Sequence, residues 1–162
     1  MIQLFITGGT IDKQYDECTG DLIFPDSHLP ELLSEANCTL PIEIETLMQK
    51  DSLQMDDEDR IQIEQACINS LSTHIVITHG TDTMVETALR LRTSPTLVKK
   101  TIVITGAMRP FKLAHSDASF NIGTALMAAQ LAQPGVWISM NGQLFSADKV
   151  TKNRTLGQFE SL

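Results

Sequence analysis

Residues 2–10 read IQLFITGGT and residues 75–83 read IVITHGTDT, so twice in the chain a short apolar run leads into a glycine-containing turn that carries hydroxyl groups. A β-branched run that ends near glycine is typical of a strand covered on both faces. Glycine also lets the backbone turn tightly and approach a ligand closely. If the two strands are neighbours, their turns bring the hydroxyl groups into one crevice, which predicts a functional site.

Apolar, β-branched segments of this kind recur along the chain and alternate with helix-like patterns. The predicted strands span residues 2–6, 42–47, 74–78, 101–105 and 136–140, and the predicted helices span residues 28–35, 56–71, 83–92 and 119–132. The second predicted helix starts with four acidic residues, at the end where the helix dipole favours negative charge. This alternation predicts right-handed crossovers and an α/β fold, with helices on both faces of a mainly parallel sheet.

Two segments lie outside this alternation. Residues 12–24 are polar and contain Gly20, which predicts a hairpin or a mobile loop in place of the first crossover helix. Residues 151–162 show weak periodicity and are interpreted as a tail. Because no repeat or shift in composition divides the chain, we expect residues 1–162 to form one domain.

The composition is that of a soluble globular protein, with 42% hydrophobic and 20% charged residues. A net charge of −8 argues against a nucleic-acid partner, because binding to phosphate backbones requires an excess of basic side chains. No apolar stretch approaches the roughly 18 residues that indicate a membrane span. We therefore expect neither nucleic acid nor a membrane as a partner.

The cellular compartment is predicted from the N-terminus and the cysteines. The first residues lack the basic region of a secretory signal, and Gly8-Gly9 interrupts their apolar run. Cys18, Cys38 and Cys67 are odd in number and do not have the spacing of metal ligands. These features predict a cytoplasmic protein with reduced thiols.

Polar residues follow the predicted strands at their carboxyl ends, where parallel sheets bind ligands. The set comprises hydroxyls, carboxylates and backbone donors, and it includes Thr10, Asp51 with Ser52, and Thr81 with Asp82. No His, Cys or carboxylate cluster with metal spacing is among them, so we expect no metal. Such a set suits a small zwitterion, with Asp82 on its ammonium group and Ser52 with helix N-terminal amides on its carboxylate.

The same residues also suit acyl transfer. A threonine hydroxyl is a poor nucleophile until a base takes its proton. A lysine can do so if burial or neighbouring charge lowers its pKa below about 10.4. Lys152 is the candidate base, because it lies a few residues beyond the last predicted strand.

Four motifs carry a resemblance to a known family. Thr-Gly-Gly-Thr-Ile at residues 7–11, His-Gly-Thr-Asp-Thr-Met at 79–84, Gly-Ala-Met-Arg-Pro at 106–110 and Val-Thr-Lys at 150–152 follow one another in order. Together they resemble the bacterial-type L-asparaginase family, and the match runs from residue 1 to about residue 155. The resemblance implies a doubly wound, three-layer fold and a two-step hydrolysis of the asparagine side-chain amide, with no cofactor.

The resemblance also implies roles for individual residues. Thr10 matches the primary nucleophile, Thr81 the second catalytic threonine, Lys152 the lysine that activates Thr81, and Asp82 the carboxylate that binds the substrate amine.

Three further positions complete the site that the resemblance implies. Asp51 and Ser52 fall where the family binds the substrate's α-carboxylate, and Ala107 matches a residue whose backbone contacts the amide nitrogen. The oxyanion of the reaction requires preorganised N–H donors, and we expect the turn at Gly80 to supply them.

The chain departs from the longer family members in two respects. They carry a tyrosine on a mobile loop beside the first threonine, and here Tyr15, the only tyrosine, takes that assignment five residues after Thr10. They also have a second domain of comparable size, whereas this sequence matches the N-terminal catalytic domain alone. By analogy with the family's oligomers, we expect a homodimer or a larger homo-oligomer.

Alternatives remain at the level of function and of single residues. The chain can be a glutaminase-asparaginase or related amidase, a non-catalytic amino-acid-binding or regulatory module, or a subunit of a tRNA-dependent amidotransferase. Some candidate residues also have purely structural interpretations: a turn cap for Thr10 or Ser52, a helix N-cap for Thr81-Asp82, a solvated tail for Lys152 and a structural histidine for His79.

Overall fold

A central six-stranded sheet organises the protein, which is described by a computed structural model of residues 1–162. The strands are β1 Ile2–Gly8, β2 Gln14–Tyr15, β3 Leu22–Ile23, β4 Ile42–Lys50, β5 His74–Thr78, β6 Thr101–Thr105, β7 Gly135–Met140, β8 Gln143–Ser146, β9 Val150–Asn153 and β10 Gln158–Ser161. The helices are α1 Leu29–Glu35, α2 Asp57–Asn69, α3 Met84–Thr93 and α4 Ala118–Leu131. Three 3-10 turns span Thr10–Asp12, Ser52–Gln54 and Pro95–Leu97.

The sheet order is β4-β1-β5-β6-β7-β8, and every pair is parallel except β7 with β8. Successive side chains of β1 alternate between the two faces. Phe5 packs with α2 and α3 on one face, whereas Leu4 and Ile6 pack with α1 and α4 on the other. The predicted doubly wound, three-layer α/β fold is therefore confirmed, and none of its helices has both the length and the apolar character that a membrane crossing requires.

The strand order places the predicted crevice. The chain leaves β1 for β4 on one side and returns to β5 on the other, so the connections diverge between β1 and β5. Ligands of doubly wound sheets bind at the carboxyl ends of the strands at such a switch point. Thr10 follows β1 and Thr81 follows β5, so both lie at this position.

All five predicted strands of the main sheet and all four predicted helices are present, with small differences at their ends. Residues 12–24 contain a short hairpin in which Gln14 pairs with Ile23 and Tyr15 with Leu22.

The interpretation of residues 151–162 as a tail was wrong. Strands β9 and β10 form a second hairpin there, because Phe159 is buried and its N–H donates to Asn141 Oδ1 over 2.8 Å. Strand β8 was also missed. The sequence signal for it is the pair Asn141-Gly142, which is typical of a two-residue hairpin turn, and both residues have positive φ in the structure.

Candidate active site

The turns after β1 and β5 are held together through their backbones. The Thr7 hydroxyl donates to the Thr78 carbonyl over 2.7 Å, near the end of each strand. Gly9 has φ 83°, and a Cβ atom at this position would lie 2.4 Å from the Gly80 nitrogen. Only glycine fits such a contact without displacement of backbone. Thr10 and Thr81 each follow one of the two touching glycines, so the turns meet in one crevice.

We expect Gly9→Ala to lower the free energy of unfolding by about 2–4 kcal/mol, because the new methyl group combines a strained φ with a backbone clash. Gly123→Ala is the matched control, since its Cβ would have no atom within 4 Å and it lies inside α4. The control should gain roughly 0.5–1 kcal/mol from lower backbone entropy in the unfolded state. Urea unfolding measures both changes, and equal stabilities of the two variants would contradict the assigned contact.

Lys152 connects the turn after β5 with the β9–β10 hairpin. Its Nζ donates to Thr81 Oγ1 and to Asp82 Oδ1, each over 2.8 Å. The Lys152 side chain is 11% exposed, so it is held at the base of the crevice and is not a solvated tail lysine. The helix N-cap interpretation of Thr81-Asp82 is also wrong, because α3 begins at Met84 with Thr83 as its N-cap.

Asp51 and Ser52 lie beside this turn at the end of β4. Ser52 is buried, and its Oγ accepts a hydrogen bond from the Thr83 N–H over 3.3 Å. A Cβ on Gly80 would lie 2.6 Å from Ser52 Oγ. The Asp51 carboxylate pairs with Lys13 Nζ over 2.5 Å, and this ammonium group holds the pKa of Asp51 below its usual range. A substrate carboxylate near this point would therefore face the Ser52 hydroxyl and the Lys13 ammonium group.

His79 lies fully buried under the turn. Its Nδ1 contacts the Gly80 carbonyl over 2.7 Å, and its Nε2 contacts Thr87 Oγ1 over 2.8 Å. A carbonyl only accepts, so Nδ1 carries the proton and Nε2 accepts from the Thr87 hydroxyl. Burial lowers the pKa of His79 to about 4, which keeps the imidazole neutral. His79 thus fixes the direction of the peptide between Gly80 and Thr81, consistent with the structural interpretation.

This buried histidine makes stability depend on pH. An unfolded histidine has a pKa near 6.5, above the value of about 4 in the folded protein, so the unfolded chain binds the proton first as pH falls. The stabilisation is complete above pH ~6.5, and the loss between there and pH 4 reaches about 3 kcal/mol. We expect His79→Gln to remove this part of the pH dependence. Urea unfolding at several pH values gives the free energy of unfolding as a function of pH. The same dependence on pH in the wild type and in His79→Gln would contradict this prediction.

The loop after β6 is fixed against the first turn. The N–H of Phe111 donates to the Ile11 carbonyl over 3.2 Å. The Asp117 carboxylate accepts from the N–H groups of Met108 and Arg109 over 2.9–3.0 Å. Between these anchors, Ala107 is buried and its carbonyl accepts no backbone N–H. That carbonyl therefore has no hydrogen-bond donor within the protein.

Asp12 closes the segment that follows Thr10. Its Oδ1 accepts from Ser27 Oγ over 2.8 Å and from the His28 N–H over 3.0 Å, so one carboxylate joins both ends of residues 12–28. Asp12 is fully buried and its Oδ2 has no partner. Burial raises the pKa of Asp12 above its usual range, although the two hydrogen bonds oppose this shift. We call this contact the Asp12 clasp.

The sequence profile described as "Asparaginase, N-terminal" matches residues 1–161 of the chain. The chain belongs to the asparaginase family. The L-asparaginase of Thermococcus kodakarensis is 32% identical over 118 residues, which are 72% of this chain and 36% of that protein. The glutaminase-asparaginase of Acinetobacter glutaminasificans is 32% identical over 167 residues, covering 93% of this chain and 49% of that protein.

A solved structure agrees with these sequence matches. That of L-asparaginase I from Vibrio cholerae superposes with a TM-score of 0.86 at 26% identity and covers 99% of this chain and 50% of that one. The chain therefore spans about half of that structure, and a third to a half of the two relatives above. The resemblance read from the four motifs is confirmed.

Tyr15, which the resemblance placed in the site, lies in the short hairpin of residues 12–24. It lies in β2, is 51% exposed, and pairs through its backbone with Leu22. No hydrogen bond joins its side chain to Thr10 or Thr81, and its assignment to the loop tyrosine stays a prediction.

Two ion pairs of this asparaginase-family site were missed from the sequence. Lys13 forms an ion pair with Asp51, and Arg154 Nη1 forms one with Asp82 Oδ1 over 2.6 Å. Neither pair has a sequence signal, because its partners are 38 and 72 residues apart. No group of three or more His, Cys, Asp or Glu side chains is arranged to hold a metal ion.

Proposed function

We propose that this chain carries the catalytic site of an L-asparagine amidohydrolase, which converts L-asparagine to L-aspartate and ammonia. The observation that carries the proposal is the contact of Lys152 Nζ with Thr81 Oγ1 and Asp82 Oδ1 at 2.8 Å each. A lysine in direct contact with a hydroxyl can exchange a proton with it without moving. Membership of the asparaginase family supports the same chemistry.

In this proposal the substrate zwitterion is held by opposite charges. Both cations on Asp82 contact Oδ1, so Oδ2 is free to accept from the α-ammonium group. The Ser52 hydroxyl, which keeps its own proton when it accepts from Thr83, donates to the α-carboxylate. Asp51 orients Lys13 at the same end of the site. The side-chain amide then extends towards Thr10 and the Ala107 carbonyl, which accepts from its NH₂ group.

The proposed reaction proceeds in two steps through Thr10. The Thr10 hydroxyl oxygen attacks the amide carbon, and the N–H groups of Gly80 and Thr81, which donate to no other backbone group, stabilise the oxyanion. The C–N bond breaks as the nitrogen takes up the proton that the Thr10 hydroxyl gives up, ammonia leaves, and an aspartyl ester remains on Thr10. Water then attacks the ester carbon, and its proton passes through Thr81 Oγ1 to the neutral form of Lys152. The ester C–O bond breaks, the Thr10 oxygen takes the proton back, and L-aspartate leaves.

Glutamine is the second candidate substrate, because the glutaminase-asparaginase of Acinetobacter glutaminasificans matches 93% of this chain. The two amides differ by one methylene, and a pocket separates such ligands by only ~1–3 kcal/mol. The same threonines would act on both.

Assembly and compartment are parts of the same proposal. By analogy with the family's oligomers, we expect a homodimer or a larger homo-oligomer. The three cysteines are all free, which supports a reducing compartment, the cytoplasm.

The test is ammonia release from L-asparagine and L-glutamine by the purified protein, with a mock purification from cells that lack the gene as the control. We expect release that is faster with asparagine, with L-aspartate as the second product. No release together with tight L-aspartate binding by calorimetry would refute the hydrolase and support an amino-acid-binding module.

A further inference from the structure

A second cation occupies the carboxylate that the proposed function assigns to the substrate's α-ammonium group. Arg154 donates from Nη1 to Asp82 Oδ1 over 2.6 Å and from Nη2 to the Asp82 backbone carbonyl over 3.2 Å. Lys152 contacts the same carboxylate oxygen. In the free protein, one negative charge therefore already faces two positive charges.

The two cations differ in how firmly the fold holds them. The Lys152 side chain is 11% exposed, whereas that of Arg154 is 63% exposed. Arg154 follows β9 at the start of a turn that the Asn153 side chain fixes by accepting from two backbone N–H groups over 3.1 Å each. The backbone beside Arg154 is thus anchored, while its guanidinium is largely solvent-exposed and free to leave Asp82.

We propose that Arg154 competes with the α-ammonium group of the ligand for Asp82 and so sets how strongly the site prefers amino acids over ligands that lack the amine. The inference rests on the proposed function, because that function places the α-ammonium group on Asp82. A zwitterionic ligand must share Asp82 with the guanidinium or displace it. A dicarboxylate without an amine does not need to displace the guanidinium, and the positive charge of Arg154 attracts its carboxylates.

The geometry favours arginine for this role. A guanidinium can bind the carboxylate and the backbone carbonyl of Asp82 at the same time, as it does here, whereas a lysine ammonium on a flexible stem lacks this planar fork. Arg154→Lys therefore keeps the charge and weakens the double contact. Arg154→Gln removes the charge as well.

The experiment measures the dissociation constants of L-aspartate and succinate by calorimetry in the wild type, Arg154→Gln and Arg154→Lys. The two ligands differ only in the α-ammonium group. In Arg154→Gln we expect aspartate to bind roughly two- to fivefold more tightly, the range that an exposed ion pair is worth. Succinate should bind equally or more weakly, because a positive charge is lost. Arg154→Lys should lie between the wild type and Arg154→Gln.

Arg92→Gln is the matched control, because Arg92 also forms a partly exposed ion pair, with Asp148 over 2.9 Å, and contacts none of the site residues. Its ratio of aspartate to succinate affinity should equal that of the wild type. If Arg154→Gln has the same ratio of aspartate to succinate affinity as the wild type, the inference is overturned. It is also overturned if neither protein binds aspartate. Ammonia release from L-asparagine, measured separately, tests the hydrolase: a changed ratio without release would leave the selectivity role standing and remove the activity.

Discussion

Replacing Thr10 by alanine should lower kcat for ammonia release from L-asparagine by on the order of 10³–10⁶, because a covalent route has no substitute for its nucleophile. Thr10 begins the 3-10 turn that follows β1, beside the contact between Gly9 and Gly80. Removal of its hydroxyl leaves this backbone contact intact. Stability and the dissociation constant of L-aspartate should therefore change little, and the loss should fall on kcat.

The matched variant is Thr10→Ser, which keeps a hydroxyl and removes only a methyl group. We expect it to retain far more activity than Thr10→Ala. Its acyl-enzyme should carry the added mass of an aspartyl group, which mass spectrometry can test after rapid acid quenching. If Thr10→Ala releases ammonia at the rate of the wild type, Thr10 is not the nucleophile.

Replacing Lys152 by methionine should lower kcat by about 10²–10⁴, the usual contribution of a positioned acid or base. Methionine keeps much of the length of the side chain but cannot exchange a proton with Thr81. It also removes the buried donor that holds the Asp82 carboxylate in place, so KM for asparagine should rise, unlike the loss of the exposed Arg154, which leaves this donor intact. Steady-state measurement of kcat and KM separates the two effects.

Lys149→Met is the control for Lys152→Met, because Lys149 is an exposed lysine just before β9. It should leave kcat and KM unchanged. Thermal unfolding of both variants shows whether the β9–β10 hairpin survives the substitution. A Lys152→Met protein that folds normally and retains wild-type kcat would contradict a proton-exchanging role for this lysine.

The main sheet could be predicted from the sequence because its strands are covered on both faces. Burial requires continuous β-branched runs such as residues 74–78 and 101–105, and these stand out from their surroundings. Strand β10 lacks such a run. Its formation depends on the burial of Phe159 and on an acceptor at Asn141, which lies 18 residues away in the sequence.

The site was predicted in part for a similar reason. Thr10, Thr81 and Asp82 follow strands at the switch point, so their placement follows from the topology. Lys152 was a candidate from its position beyond the last predicted strand and from the family motif, and the structure brings it to Thr81. The ion pairs of Lys13 and Arg154 depend on where flexible side chains reach across turns, which neither periodicity nor motif spacing encodes.

The Asp12 clasp bears on how this protein can be re-engineered and how its relatives can diverge. One carboxylate fixes both ends of residues 12–28 to each other, so the position of these ends does not depend on the hairpin between them. The entropy of closing such a loop changes only slowly with its length. Residues 16–26 can therefore be lengthened, shortened or grafted from another protein while Thr10 and the Lys13–Asp51 pair keep their places, so most of this hairpin can evolve independently of the site.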